Sequence, residues 1–142
     1  MSPMQTAIEE LLRGGLSCVD SDRDGNIVFV SSESGLKPLM ERISEDPNGL
    51  DGIYVADKII GKATACLIIY KGAAACHGCI MSEPASQFLR GNGVPFSYGR
   101  MVPFIRNRAG TGMCPMEHTV ETAADAKKGY EAIIEFLNVQ TR

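Results

Sequence analysis

A chain of 142 residues with 44% hydrophobic and 22% charged residues has the composition of one folded domain, too apolar and too weakly charged to stay disordered. A formal net charge of −3, and 6% aromatics with no tryptophan, supply neither a phosphate-binding surface nor base-stacking platforms, so nucleic acid is not an expected partner. Glu9, Glu10 and Arg13 interrupt the apolar run that a signal peptide needs, and no stretch approaches the length of a membrane span; a soluble cytoplasmic protein is expected.

MQTAIEELLRGG puts Ile8, Leu11 and Leu12 on one helical face and ends on Gly14 and Gly15. LSCVD and IVFVSS flank the turn-forming run SDRDGN and read as a β-hairpin, and GLKPLMERIS reads as a second helix starting near Pro38. YVADKIIGKATACLIIYKG is long enough for about four turns and becomes apolar nearly all round in its second half, which predicts one helix packed against a sheet. AAACHGCIM fits a buried strand, SEPASQFLRGNG a helix capped by Ser82 with Pro84 in its first turn, and PFSYGRMV another strand. The closing stretch predicts a short helix and then a longer one that turns Tyr130, Ile133, Ile134 and Leu137 inward. No repeat or linker divides the chain. A hairpin followed by alternating helices and strands predicts a single α/β domain over residues 1–142, with one mixed sheet between helices. Five cysteines, an odd and scattered set, predict free thiols rather than a disulfide framework.

Four groupings bear on chemistry. Asp20, Asp22, Asp24, Gly25 and Ile27 match the opening of a calcium loop, but Ser31 stands where the bidentate glutamate belongs and strand-like residues replace the flanking helices; an acidic hairpin turn is expected. Cys76 and Cys79 have zinc-knuckle spacing, and Cys114 with His118 would complete four ligands. On a strand, however, residues three apart point to opposite faces, so buried structural cysteines are expected instead. Lys58 and Lys62, four apart on the expected helix and beside Asp57, form either an anion-binding pair or a solvated stripe.

The fourth grouping is RNRAGTGMCPMEH at residues 106–118. Arg106, Arg108, Gly110 and Gly112 offer charge and flexible amides for an anion. With Pro115 as the first helical residue, Cys114 becomes the cap and Glu117 the third position, the layout of a capping box with sulfur in place of a hydroxyl. A thiol at a helix start is favoured as thiolate, so Cys114 is either a nucleophile or a buried cap.

Two stretches, ADKIIGKATA and NRAGTGMCPME, resemble signatures of a small uncharacterised bacterial domain family placed in the cytidine-deaminase-like superfamily. The resemblance covers nearly the whole chain and implies a three-layer α/β/α fold around a mixed sheet. It assigns no reaction. The zinc enzymes of that superfamily carry His-x-Glu and Pro-Cys-x-x-Cys at two helix starts; at the matching places this chain has Val55, Ala56 and Asp57, then Ser82, Glu83, Pro84 and Ala85. The resemblance therefore implies a pocket without zinc or other cofactor, where the helix starts at Asp57 and Ser82 meet under the 106–118 loop.

The expected function is metal-independent binding, with or without transformation, of a small anionic metabolite, phosphorylated or nucleotide-like. Lys58, Lys62, Ser82, Glu83, Arg106, Arg108, Gly110 and Gly112 would hold it, and any chemistry would fall to Cys114 as nucleophile with Asp57 or Glu117 as base. Two alternatives stay open: a zinc hydrolase with ligands rearranged among Cys76, Cys79, Cys114 and His118, and a non-catalytic module that assembles with itself or a partner.

Overall fold

A computed structural model describes residues 1–46 and 48–140, and side chains through residue 138. The first helix, α1 (Pro3–Leu12), starts with a reciprocal capping box in which Ser2 Oγ accepts from the Gln5 amide and the Gln5 side chain accepts from the Ser2 amide. Ala7 and Leu11 are buried on its inner face with Ile8 beside them, whereas Leu12, expected inside, is 66% exposed. A hairpin follows, β1 (Cys18–Ser21) and β2 (Ile27–Ser31), then α2 (Lys37–Glu45).

The segment read as one long helix is two elements. Residues Tyr54–Ile60 form strand β3, and only Lys62–Tyr70 form a helix, α3. Strand β3 lies in the middle of the sheet and is covered on both faces, so Val55, Ala56 and Asp57 are all buried and the period-two alternation that marks a half-buried strand is lost. Gly61, extended, is the break. Residues Ala63 to Ile68 of α3 are buried without exception, as its all-round apolar character predicts.

The rest follows the expected order: β4 (Ala75–Ser82), α4 (Glu83–Gly91), β5 (Phe96–Val102), α5 (Pro115–Val120) and α6 (Ala126–Gln140). The five strands form one mixed sheet in the order β2-β1-β3-β4-β5, with β1 antiparallel to both neighbours and β3, β4 and β5 parallel. Among the described residues helix α1 is the one helix on one face, over Val19 and Ala56. The larger core lies on the other face, where Leu39 of α2, Leu67 and Ile68 of α3, Leu89 of α4, Val120 of α5 and Ile133 of α6 meet Val55, Ile60, Cys76 and Met81 of the sheet. The domain is thus an α/β fold of three layers. Among the described residues no helix is long and apolar enough to cross a membrane.

Candidate functional site

Because β3, β4 and β5 are parallel, their carboxyl ends lie at one edge of the sheet, and there the chain turns into α3, into α4 and into the 103–114 loop. This edge is where ligands of open α/β sheets are received. A cleft of about 440 Å³ lies here, lined by Lys62 of α3, Pro84, Gln87 and Phe88 of α4, Pro103, Phe104 and Met113 of the loop, and Glu117 and Glu121 at α5. Of the residues expected from sequence, it contains Lys62 and Glu117.

Glu117 is not half of a local capping box. Cys114 is the cap of α5 and Pro115 its first residue, as the layout predicts, but the Cys114 side chain makes no capping hydrogen bond. Glu117 instead reaches across to α3, where its carboxylate accepts the amides of Lys62 at 2.7 Å and Ala63 at 3.0 Å. Gly61 before them leaves room for this contact, since a methyl group there would overlap the carboxylate. Helix α3 cannot cap itself with glycine, so a carboxylate 55 residues away in sequence supplies the missing acceptor. Burial, which leaves Glu117 8% exposed, pushes its acid upward from the ordinary range, while the Ala63 and Lys62 amides and the Lys62 charge hold it down.

Lys62 completes a two-way clasp. Its ammonium donates to the carbonyls of Glu121 at 3.1 Å and Ala123 at 3.0 Å, satisfying the end of α5, and lies 5.1 Å from the centre of the Phe88 ring. Among the described residues two of its three N–H groups are thereby used, and Lys62 also lines the cleft.

Asp57 lies elsewhere. It is on β3, not at a helix start, and lies below the edge in a buried group with Cys18 and Asp20 of β1 and Arg42 of α2. Asp20 is fully buried; its Oδ2 faces Arg42 Nε at 3.8 Å, and neither atom has a hydrogen-bond partner among the described residues. Burial pushes Asp57 up to about 7, with the Ile59 amide pulling down and Asp20 pushing further up. Burial also pushes Asp20 up to about 7, against the opposing charge of Arg42. This arrangement answers the calcium reading. Asp20 points into the core, and Asp22 accepts the amides of Asp24 at 3.0 Å and Asn26 at 2.9 Å, closing a hairpin turn at Gly25, whose φ is +85°.

The remaining expected residues are dispersed. Lys58 is on the strand rather than on a helix face shared with Lys62, and is exposed. Ser82 is buried and caps α4 by accepting the Ala85 amide at 3.2 Å, as expected; Glu83 beside it is exposed. The anticipated anion cradle is closed on itself. Gly110 donates to the carbonyl of Asn107, the carbonyl of Gly112 accepts from Asn107, and Thr111 donates to the Asn107 side chain. Arg106 lies against the Phe104 ring and Arg108 donates to Ser34 Oγ at 3.3 Å. Cys114, half-buried, is held by its own amide donating to Ile105 and is absent from the cleft lining.

The zinc set does not assemble. Cys76 belongs to the core beneath α3 and α4 and Cys79 to the opposite face beside α1, as strand geometry requires. Among the described residues no three His, Cys, Asp or Glu side chains gather as a metal site. Burial raises the thiols of Cys66 to about 11 and Cys76 to about 12, and raises Cys18 well above its ordinary value with help from Asp20 and Asp57.

The cleft walls Gln87, Phe88, Phe104, Met113 and Glu121 carried no legible signal in the sequence, since an aromatic residue on an amphipathic helix or in a Pro-rich turn is indistinguishable from core. The family is decided by comparison. The model of a domain of unknown function, DUF1893 (TM1506), matches residues 6–137. The chain belongs to the DUF1893 family. A crystal structure of a DUF1893 family protein, TM1506 from Thermotoga maritima, is similar to this DUF1893 domain with a TM-score of 0.83 and 30% identity, over 94% of this chain and 87% of that one. No curated protein matches the DUF1893 chain.

Proposed function

We propose that this DUF1893 domain binds a small organic molecule, without a metal, in the cleft at the carboxyl edge of β3, β4 and β5. An apolar body packs against Phe88, Phe104 and Met113, and an anionic or strongly accepting group meets the Lys62 ammonium. The single observation that carries this reading is the Lys62 ammonium on the wall of a 440 Å³ cleft, with two of its three donors engaged among the described residues. The carboxylates of Glu117 and Glu121 on the same wall favour a ligand with one acidic group over a polyphosphate.

Binding is better supported than transformation. Cys114, Asp57 and Glu117 do not converge: one is outside the lining, one is in the core and one is committed to α3. We read the domain as a zinc-free relative of the cytidine-deaminase-like superfamily. The helix start that such a fold would use for its first zinc ligand is Gly61, Lys62 and Ala63, not Val55 to Asp57, and it too lacks histidine. Five free cysteines suit a reducing, cytoplasmic compartment.

The reading is tested by protein NMR against a panel of aromatic carboxylates, sugar phosphates and nucleoside monophosphates. The tightest binder should perturb amides of α3, α4 and the 103–114 loop, and should lose at least about tenfold in affinity in both K62Q and F104A, one charged contact or one aromatic wall each. Undiminished affinity in both variants would overturn it.

A further inference from the structure

Among the described residues β5 has a neighbour on one side only. Its register with β4 runs without a shift from Phe96 to Val102, and Ser97, Tyr98, Gly99 and Arg100 are exposed, Tyr98 by 47%. Natural edges of this length are guarded by charged side chains, lysine above all, by proline or by a bulge; between its ends β5 has the charge of Arg100 but no lysine, proline or bulge. The other edge, β2, is two residues shorter by its bounds and its pairing with β1 is broken at Asp20 and Ser21.

The direction of the free backbone groups follows from one hydrogen bond. The amide of Cys76 donates to the carbonyl of Pro95 at 3.1 Å. In a parallel ladder of that phase the odd-numbered residues of β5 bond to β4, and Phe96, Tyr98, Arg100 and Val102 present both N–H and C=O outward.

Read against its own reverse, FSYGRMV is self-complementary about Gly99. Antiparallel pairing centred there sets Phe96 opposite Val102, Ser97 opposite Met101 and Tyr98 opposite Arg100, each twice. Every outward residue then faces another outward residue, so the free donors and acceptors match. Aromatic meets guanidinium at Tyr98 and Arg100 and apolar meets apolar at Phe96 and Val102, while Ser97 faces Met101. Sliding the register by two residues toward Arg100 would place the two Arg100 charges opposite each other; sliding it toward Tyr98 would leave Val102 outside the strand pair. Gly99 itself has no room for a side chain, because its Cβ would lie 2.8 Å from the Cys79 carbonyl, so the centre of the pairing carries no bulk.

We propose that β5 pairs antiparallel with β5 of a second copy in the register centred on Gly99, joining two five-stranded sheets into one across a two-fold axis. The surface is separate from the cleft, and the dimer does not depend on the ligand proposed above.

Sedimentation velocity on the full chain tests it, with circular dichroism to confirm that each variant folds. The wild type should be a dimer in concentration-dependent equilibrium with monomer. R100P removes an outward N–H that β4 does not use, so it should fold and be monomeric. Y98K sets like charges opposite each other at both pairs and should weaken the dimer by at least about tenfold, whereas Y98E sets opposite charges there and should keep or tighten it. A wild type that stays monomeric up to about 1 mM, the weak end of the affinity scale, overturns the proposal. So does a dimer that survives both R100P and Y98K, which would lie on another surface, and so does a monomeric Y98E, which would exclude this register.

Discussion

At the scale of single residues, the chemistry of this domain turns on a carboxylate and a glycine that have no reason to be related in sequence. Glu117 supplies the acceptors that α3 lacks at its start, and Gly61 leaves the space for them. G61A must expel the carboxylate, which strands two amides and the buried acid together; it should cost about 2 kcal/mol or more in urea unfolding. E117A strands the amides alone and should cost about 1–3 kcal/mol. Adding G61A to E117A should then cost only a few tenths more, since the two changes remove one interaction. Additive losses in the double variant would show that the clasp is not what holds α3 and α5 together. The Glu-at-third-position pattern was legible; its target was not, because local spacing shows that a carboxylate can reach back but not that a better partner lies across the fold.

At the scale of elements, the decisive packing is α3 on α6. Gly129 of α6 faces Cys66 of α3 so closely that a methyl group at 129 would overlap the sulfur. G129A should therefore destabilise by about 1–3 kcal/mol despite the better helix propensity of alanine. In a C66A background the sulfur is gone and only the tight contact with the Cβ at residue 66, at 3.1 Å, remains, so the same substitution should cost at least about 1 kcal/mol less. Thermal unfolding of the four chains decides it; an equal loss in both backgrounds would mean that the glycine serves α6 alone. Element identity was readable where one face of an element is wet, as in α1, α4 and α6, or where a turn sequence frames it, as in the hairpin whose β1 is buried throughout. It failed at β3 because Val55, Ala56 and Asp57 are buried in succession without alternation, and the strand runs on in sequence into the buried helix behind it.

At the scale of the whole molecule, the buried acids give stability a pH dependence. Asp20 and Asp57 titrate near 3.8 when unfolded and are pushed up to about 7 in the fold, so between those values the folded chain holds protons that the unfolded chain has released. Stability is therefore greatest at the acid end of that window, falls as pH rises through it, and levels off above about 7. The raised acid of Glu117 acts in the same direction. The melting temperature should drop by several degrees between pH 5 and pH 8, and D57N, which cannot ionise, should show a shallower slope. A profile that is flat in the wild type, or equally steep in D57N, would place both carboxylates in a far wetter environment than the core between β1, β3 and α2.

What the amino-acid sequence determined by itself was the class of the molecule and most of its local pieces. Composition, hairpin chemistry, the Ser82 and Pro115 helix starts and the opposite facing of Cys76 and Cys79 all depend on interactions within a few residues, and all are as the sequence implies. The cleft, the clasp between Lys62 and Glu117, the burial of Asp20 and Asp57 and the scattering of the 106–118 groups were decided only by tertiary structure. Each depends on which distant segment the parallel strands bring to the same edge or face, and residue type at short spacing carries no record of that partner.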